Sequence, residues 1–383
     1  MLLSGSVSSL AILLIIVFLF KEAGGLFNSP AVEEGYVLAL NKDNSVDHLS
    51  SEQIMDIFDA NITNWEEVGG ANQEILVFRF SDLTNYYAEE ELGDEFQYVP
   101  EKINELIAKE PGIIAFFPDQ YKVENFQGKV ISGDKIALSE FFAGTKWYPT
   151  SSPAPIFGLI PLLLGTLLVS IGAILLSLPF GLAVAIYMAE IANTKMRNFL
   201  KPIIELLAGI PSVVYGFFGL VVIVPLIQQL FDLPVGETAF AGSVVLAIMA
   251  LPTIITVAED AMRTTPRPMK EASLALGATQ WQTIYKVIIP YSISGITSAV
   301  VLGIGRAIGE TMAVLMVTGN AAIIPTSFFE PVRTIPATIA AELGEAPAGG
   351  AHYEALFLLG AVLFIITLVL SIAVEYISSK RKI

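Results

Sequence analysis

Residues 156–189 read IFGLIPLLLGTLLVSIGAILLSLPFGLAVAIYMA, 34 residues without a charged side chain. A bilayer-spanning helix needs about 20 apolar residues, so this stretch exceeds one bilayer thickness. It must tilt, kink or project, and Pro161 and Pro179 lie within it. Working outward, five more apolar stretches predict further spans: 2–20, about 203–226, about 240–257, about 293–317 and 353–377. The whole chain agrees: 383 residues, 54% hydrophobic, 15% charged, mean hydropathy +0.66. Soluble domains carry about 25% charge, so the expectation is an all-α polytopic membrane protein with six transmembrane helices. The composition excludes a disordered or collagenous chain, and zero cysteines exclude a disulfide scaffold.

The net charge of −16 is concentrated. Residues 21–150 hold 24 Asp and Glu against 9 Lys and Arg, and the rest of the chain holds 13 against 12. An acidic, water-compatible insert is therefore expected in a nearly neutral apolar chain, and an acidic insert suits neither nucleic acid nor an anionic lipid surface. Lys195, Arg197 and Lys201 follow the second span; Arg263, Arg267, Lys270 and Lys286 follow the fourth; Lys380, Arg381 and Lys382 follow the sixth. With six spans these groups share one side, which the positive-inside rule makes the cytoplasm. Both termini are then cytoplasmic in a prokaryotic plasma membrane, and the insert lies outside. Residues 1–20 have no basic n-region and no clear cleavage site after Phe20. An uncleaved first span is favoured over a signal peptide. The expected divisions are 1–21 (first span), 22–152 (small α/β insert) and 153–383 (five further spans).

Within the insert, 36–40 (YVLAL), 75–80 (ILVFRF) and 113–117 (IIAFF) predict buried strands. Residues 50–60 predict a helix capped by Ser51, and 103–108 a second short helix. LSSEQIMDIFDANITNWEEVGG (49–70) and EPGIIAFFP (110–118) resemble one lobe of the periplasmic phosphate-binding proteins. That family holds phosphate on a Gly-Ser-Gly-Thr loop at a helix N-terminus. Here the matching run is Phe80-Ser81-Asp82-Leu83-Thr84, without either glycine and with an added carboxylate that repels a phosphate dianion. The resemblance leaves Arg79 and Ser81 as vestigial phosphate contacts and favours a structural or docking module.

Two motifs stand out in the apolar core. Lys270-Glu271-Ala272-Ser273-Leu274-Ala275-Leu276-Gly277 runs on to Ile288-Ile289-Pro290. Small residues at 272, 273 and 275 let a short helix lie close in a partner's groove. Gly277 permits a tight turn, and Glu271 near the helix N-terminus suits the helix dipole. Residues 305–314 read GRAIGETMAV. Arg306 lies about 13 residues into a span starting at 293, near the midplane, and Glu310 four residues on shares its face. Ionised groups at that depth are costly and usually functional, although a structural ion pair gluing helices is the alternative. Gly303, Gly305 and Gly309 allow close approach of neighbouring helices. Pro211 predicts a kink in the third span, with Glu205 near its cytoplasmic edge, and 334–343 predicts a short re-entrant or interfacial helix.

The 270–290 segment resembles the E-A-A-x-x-x-G motif by which ABC importer permeases meet their ATPase. The 305–314 motif, with 165–192 and 205–225, resembles the C-type subunit of phosphate importer permeases across 153–383. The resemblance implies the MetI-like permease fold and an ATP-driven importer of inorganic phosphate. It implies four kinds of partner: an A-type permease subunit, an ABC ATPase dimer, an extracytoplasmic phosphate-binding protein and the lipid bilayer. ATP and Mg would belong to the ATPase, since this chain lacks a G-x-x-x-x-G-K-[ST] loop. It assigns Arg306, Glu310 and Thr311 to the translocation pathway, and Glu271, Ala272 and Gly277 to ATPase coupling. No catalytic or metal-ligating residue is expected; His48 and His352 are far apart and no G-x-S-x-G elbow occurs. A phosphate sensor that moves nothing, and an importer of another oxyanion, remain as rivals.

Overall fold

A computed structural model describes residues 2–93, 96–131 and 135–379. Lys380, Arg381 and Lys382, used for the orientation argument, lie outside the described residues. The chain forms two compact units. One runs to Leu159 and includes Ala346–Leu358; the other holds Ile160–Glu345 and continues from Leu359.

The first unit starts with helix α1 (Leu2–Ala23). Its α/β part has strands β1 (Tyr36–Asn41), β2 (Leu76–Arg79), β3 (Ile113–Pro118) and β4 (Gly128–Val130) in the order β2-β3-β1-β4. β3 is parallel to β2 and antiparallel to β1, and β4 is antiparallel to β1. The continuous apolar runs of β1 and β3 are buried because both faces are covered. Helix α2 (Ser51–Phe58) and Trp65 pack on Leu38, Leu40 and Ile114; helix α3 (Val99–Lys109) packs with Phe78 and Phe117 on Val37 and Ala39. Trp65 Nε1 donates to the Gly112 carbonyl at 2.9 Å, which satisfies a polar group inside this core. The cap of α2 is Ser50, not Ser51. Ser50 Oγ accepts from Gln53 N while Gln53 Oε1 accepts from Ser50 N, a reciprocal pair that Ser51 could not make one residue later. Helix α4 (Leu138–Ala143) leads toward the second span.

The second unit is helical. Its elements are α5 (Ile160–Ile191), α6 (Thr194–Gly209), α7 (Ser212–Phe231), α8 (Ala239–Arg263), α9 (Arg267–Ala275), α10 (Gln280–Ile308), α11 (Met312–Val317) and α12 (Ile335–Glu342). Helix α13 (Ala351–Ser379) follows. Among the described residues six helices are long and apolar enough to cross a membrane, as the hydropathy predicts. α8 is the most buried of the spans and packs mainly on α5 and α10. Ser243 Oγ on α8 donates to the Val169 carbonyl on α5 at 3.1 Å, a bond across two helices set close by small residues.

Two spans differ from the sequence reading. The third starts at Ser212, because Pro211 ends the preceding helix instead of kinking a continuous one. Its extended backbone (φ −60°, ψ 143°) stops α6, so Glu205 belongs to α6 and not to a span. The fifth runs from Gln280 to Ile308, not from 293 to 317. Arg306 is therefore in the last turn of this long helix and not halfway along it, but its contact is Thr253, near the middle of the 25-residue α8, so its depth follows from that packing and not from the residue count. Helix α10 also closes before Glu310, and Gly309–Thr311 is a break ahead of α11. The shared helix face expected for Arg306 and Glu310 does not form. The helix expected at 334–343 is α12, capped by Thr334.

Candidate functional site

The break between α10 and α11 organises the first group of residues. Arg306 occupies the last turn of α10, where a cation suits the C-terminal end of the dipole. Its Nη1 donates to Thr253 Oγ1 on α8 at 3.3 Å. Thr253 follows Pro252, which sits inside α8. Among the described residues no carboxylate lies within 4.0 Å of Arg306, so the ion-pair alternative is overturned. Glu310 instead caps α11: its Oε1 accepts from Ala313 N at 3.2 Å. Thr311 Oγ1 reaches the Gly309 carbonyl at 3.4 Å. Thr311 and Gly309 also line an open, mostly apolar cavity of about 540 Å³ with Pro336, Ile339, Ala340 and Leu363. Arg306 and Glu310 do not line that cavity. Of the three expected close-approach glycines, only Gly303 faces a neighbour, Ile254 on α8. A side chain at Gly305 would meet open space, and at Gly309 only the Gly305 carbonyl.

The second group lies beyond the C-terminal end of α8, past Arg263, whereas Arg306 meets α8 near its middle, at Thr253. The 270–290 segment is not one helix. It comprises α9, a turn at 276–279, and the start of α10, because Gly277 adopts φ +83° and Thr279 caps a new helix. Glu271 is the fifth residue of α9, beyond the first turn, so the dipole argument for it does not apply. No residue of α9 is buried; Glu271, Ala272 and Gly277 are exposed, and Leu276 is 89% exposed. Leu274 on this helix and Trp281 just past the turn are also exposed.

Sequence reading missed the carboxylates that hold this end together. Glu259, 1% exposed, accepts from Arg197 Nε at 2.9 Å and Arg263 Nη1 at 3.5 Å, tying α6 to α8. Glu190 pairs with Lys270 at 2.6 Å. The available signal was an acid at the end of an apolar run with basic residues in the following link. That pattern is equally that of a solvated membrane edge.

In the insert, Arg79 and Ser81 do line one cavity, of about 320 Å³, with Tyr36, Phe80, Phe116, Ser152 and Pro153. Arg79 is committed elsewhere: its Nη2 donates to the Phe58 carbonyl at 2.6 Å and its guanidinium stacks on the Phe58 ring at 5.2 Å. Asp82 Oδ2 accepts from Arg79 N at 3.2 Å, occupying a backbone donor that an anion would need. Near α2, a cavity of about 250 Å³ is lined by Ser51, Glu52 and Glu140. Burial holds the Glu140 carboxyl above the ordinary glutamate value, against the opposing pull of the Ala137 backbone and His48.

Six apolar helices, an exposed helix between the fourth and fifth, and an α/β domain after the first define a polytopic membrane transport subunit. Comparison with known proteins gives the family. A profile described as binding-protein-dependent transport system inner membrane component matches residues 177–383, and the chain belongs to that family. A profile for the PBP superfamily domain matches residues 17–147. A Bacillus subtilis protein named as a probable ABC transporter permease, YqgH, is 41% identical over 261 residues, 68% of this chain and 84% of that one. A Mesorhizobium japonicum phosphate transport system permease protein, PstC, is 39% identical over 253 residues, 61% of this chain and 76% of that one. Among solved structures, a chain of the inward-facing MetNI methionine ABC transporter matches at TM-score 0.48 and 20% identity. It covers 59% of this chain and 96% of that one.

Proposed function

We propose that this chain is the permease subunit of an ATP-driven importer of inorganic phosphate, working beside an A-type permease subunit. The observation that carries the reading is Arg306, a guanidinium in an apolar span with a hydroxyl neighbour and, among the described residues, no carboxylate within 4.0 Å. An uncompensated cation there is costly, and a passing anion lowers that cost. Kinship with a protein named as a phosphate permease, at 39% identity, selects phosphate among anions.

In this reading Glu310 discriminates. Oε1 is engaged by Ala313 N, and Oε2 accepts the hydrogen bond that hydrogen phosphate donates. Sulfate carries no proton at neutral pH and meets only repulsion. Thr311 offers a hydroxyl at the same break. The exposed α9, with Glu271 and Ala272 on its surface and Gly277 turning the chain back, receives a cytoplasmic ATPase dimer, which holds ATP and Mg. The basic residues of both links cluster at that end: Arg197 and Lys201 on α6 and Lys270 on α9 bind acids of α8 and α5. That supports a cytoplasmic side there, an extracytoplasmic insert and cytoplasmic termini. The insert, with Arg79 and Asp82 satisfied internally, serves as a module that meets an extracytoplasmic phosphate-binding protein.

The test is competition in vesicles holding the assembled importer. Unlabelled phosphate and arsenate, which keep a proton, should displace labelled phosphate, and sulfate should not. Glu310→Gln should narrow the difference between phosphate and sulfate. Equal competition by sulfate in the unaltered protein would contradict the assignment.

A further inference from the structure

Glu190 is the one acidic residue in the last turns of α5. Its carboxylate is 11% exposed and meets Lys270 Nζ, 22% exposed, at 2.6 Å. Its backbone carbonyl accepts from Gln280 Nε2 at 3.0 Å. Lys270 precedes the Gly277 turn and Gln280 follows it, so one residue of α5 grips both sides of the α9 hairpin. The hairpin is further closed by Ser273 Oγ and Thr283 Oγ1 at 2.9 Å. Every residue of α9 itself is otherwise at least partly open to solvent. The neighbouring pairs do different work: Arg197–Glu259 and Lys201–Asp260 join α6 to α8 and do not touch α9. Lys201–Asp260 is long, at 3.9 Å, and open to water, where an ion pair transmits little.

The backbone around Glu190 adds a second observation. Residues Tyr187–Ile191 form a wide turn in which Ala192 N bonds to the Tyr187 carbonyl. Ile284–Ile288, just beyond Gln280, forms another. Such turns accommodate one extra residue and are frequent at functional sites. A third lies at Gly219–Ile223 in α7; α5 and α10 each carry theirs beside the α9 hairpin.

We infer that Glu190 is a positioning residue for transport: through Lys270 and Gln280 it passes displacement of α9 into the wide turn of α5. Without it the loop absorbs that displacement. This rests on the reading of α9 as the helix that receives the ATPase.

The test uses the complete importer in proteoliposomes, with phosphate uptake and ATP hydrolysis measured together. Glu190→Gln should lower phosphate taken up per ATP hydrolysed by about fivefold or more, the lower range for a coupling free energy. Binding-protein-stimulated hydrolysis should persist. The exchanged pair, Glu190→Lys with Lys270→Glu, should recover at least half of the lost ratio. An unchanged ratio in Glu190→Gln overturns the inference, as does a proportional loss of both activities that the exchanged pair does not repair. A separate arm carries Glu271→Arg on the exposed face of α9. If stimulated hydrolysis and complex assembly survive that change, the reading of α9 is what fails, independently of the Glu190 result.

Discussion

Arg306 illustrates what one side chain contributes. With Thr253 Oγ1 as its hydrogen-bond partner at 3.3 Å, it depends on a neutral neighbour to hold its orientation. Thr253→Val keeps shape and removes the acceptor, a loss of roughly 1.5 kcal/mol, the low end for a bond to a charged group because it is long at 3.3 Å. Phosphate uptake should fall by about tenfold, less than for Arg306→Ala, with assembly unchanged; pairwise uptake rates of the single and double variants check this. Glu140 makes a different prediction. Its folded-state carboxyl is raised by burial, so the folded chain holds that proton more tightly than the unfolded chain does. Its contribution is full below the unfolded value and is lost as pH rises through the folded value. Glu140→Gln should flatten that slope by under about 1 kcal/mol, since the residue is only half-buried although its Oε2 is shut off from solvent. Protease protection of the insert in the full-length chain, followed from acid to neutral pH, reads the effect.

These residues were unequally legible. Arg306 and Glu310 are conspicuous as charges in an apolar run, but their separation was not. Gly309 caps the end of α10, but it follows Gly303 and Gly305 inside the helix and a largely apolar run resumes to Val317, so a glycine there does not stand out as a stop. Thr253 carries no signal by itself, because a threonine inside a span is ordinary. Glu259 was hidden by its neighbours: next to Asp260 and four residues before Arg263, it reads as a wet edge, and only packing makes it 1% exposed.

At the scale of elements, hydropathy located the six long helices because burial in lipid demands a length that chance rarely supplies. Ends were harder. Pro211 was expected to kink and instead terminates, since its ring denies Ile210 a helical backbone. The strands of the insert were legible as apolar runs, whereas β4, only Gly128–Val130, is too short to show a pattern. Two changes test the elements at the α9 end. Glu259→Ala leaves Arg197 and Arg263 without their shared acceptor. The arginines are partly solvated, so the loss should be on the order of 1–3 kcal/mol, seen as a lower unfolding temperature in detergent. Gly277→Ala forces a side chain into φ +83°, costing about 1–2 kcal/mol. Nothing lies within 4 Å of that position, so the effect should be confined to the turn. Stimulated ATP hydrolysis should drop by more than Glu259→Ala lowers it, for a fall in unfolding temperature no larger than that variant's.

For the whole molecule, charge partition explains the division of labour. The acidic insert folds as a water-compatible α/β unit whose sheet is covered on both faces by its own helices. In the helical unit Arg306 and Glu310 flank the α10–α11 break, ion pairs gather at the end of α8, and Arg333 pairs with Glu342 at 2.6 Å ahead of α13. In the proposed function Arg306, beside the middle of α8, meets the passing anion, and the exposed α9, beyond the end of α8, meets the ATPase. The most direct measurement is accumulation of labelled phosphate in vesicles that hold this chain with its partner permease, ATPase and binding protein, with and without ATP. The account predicts ATP-dependent accumulation that Arg306→Ala abolishes while the complex still assembles. Undiminished accumulation in Arg306→Ala, or phosphate entry indifferent to ATP, would contradict it.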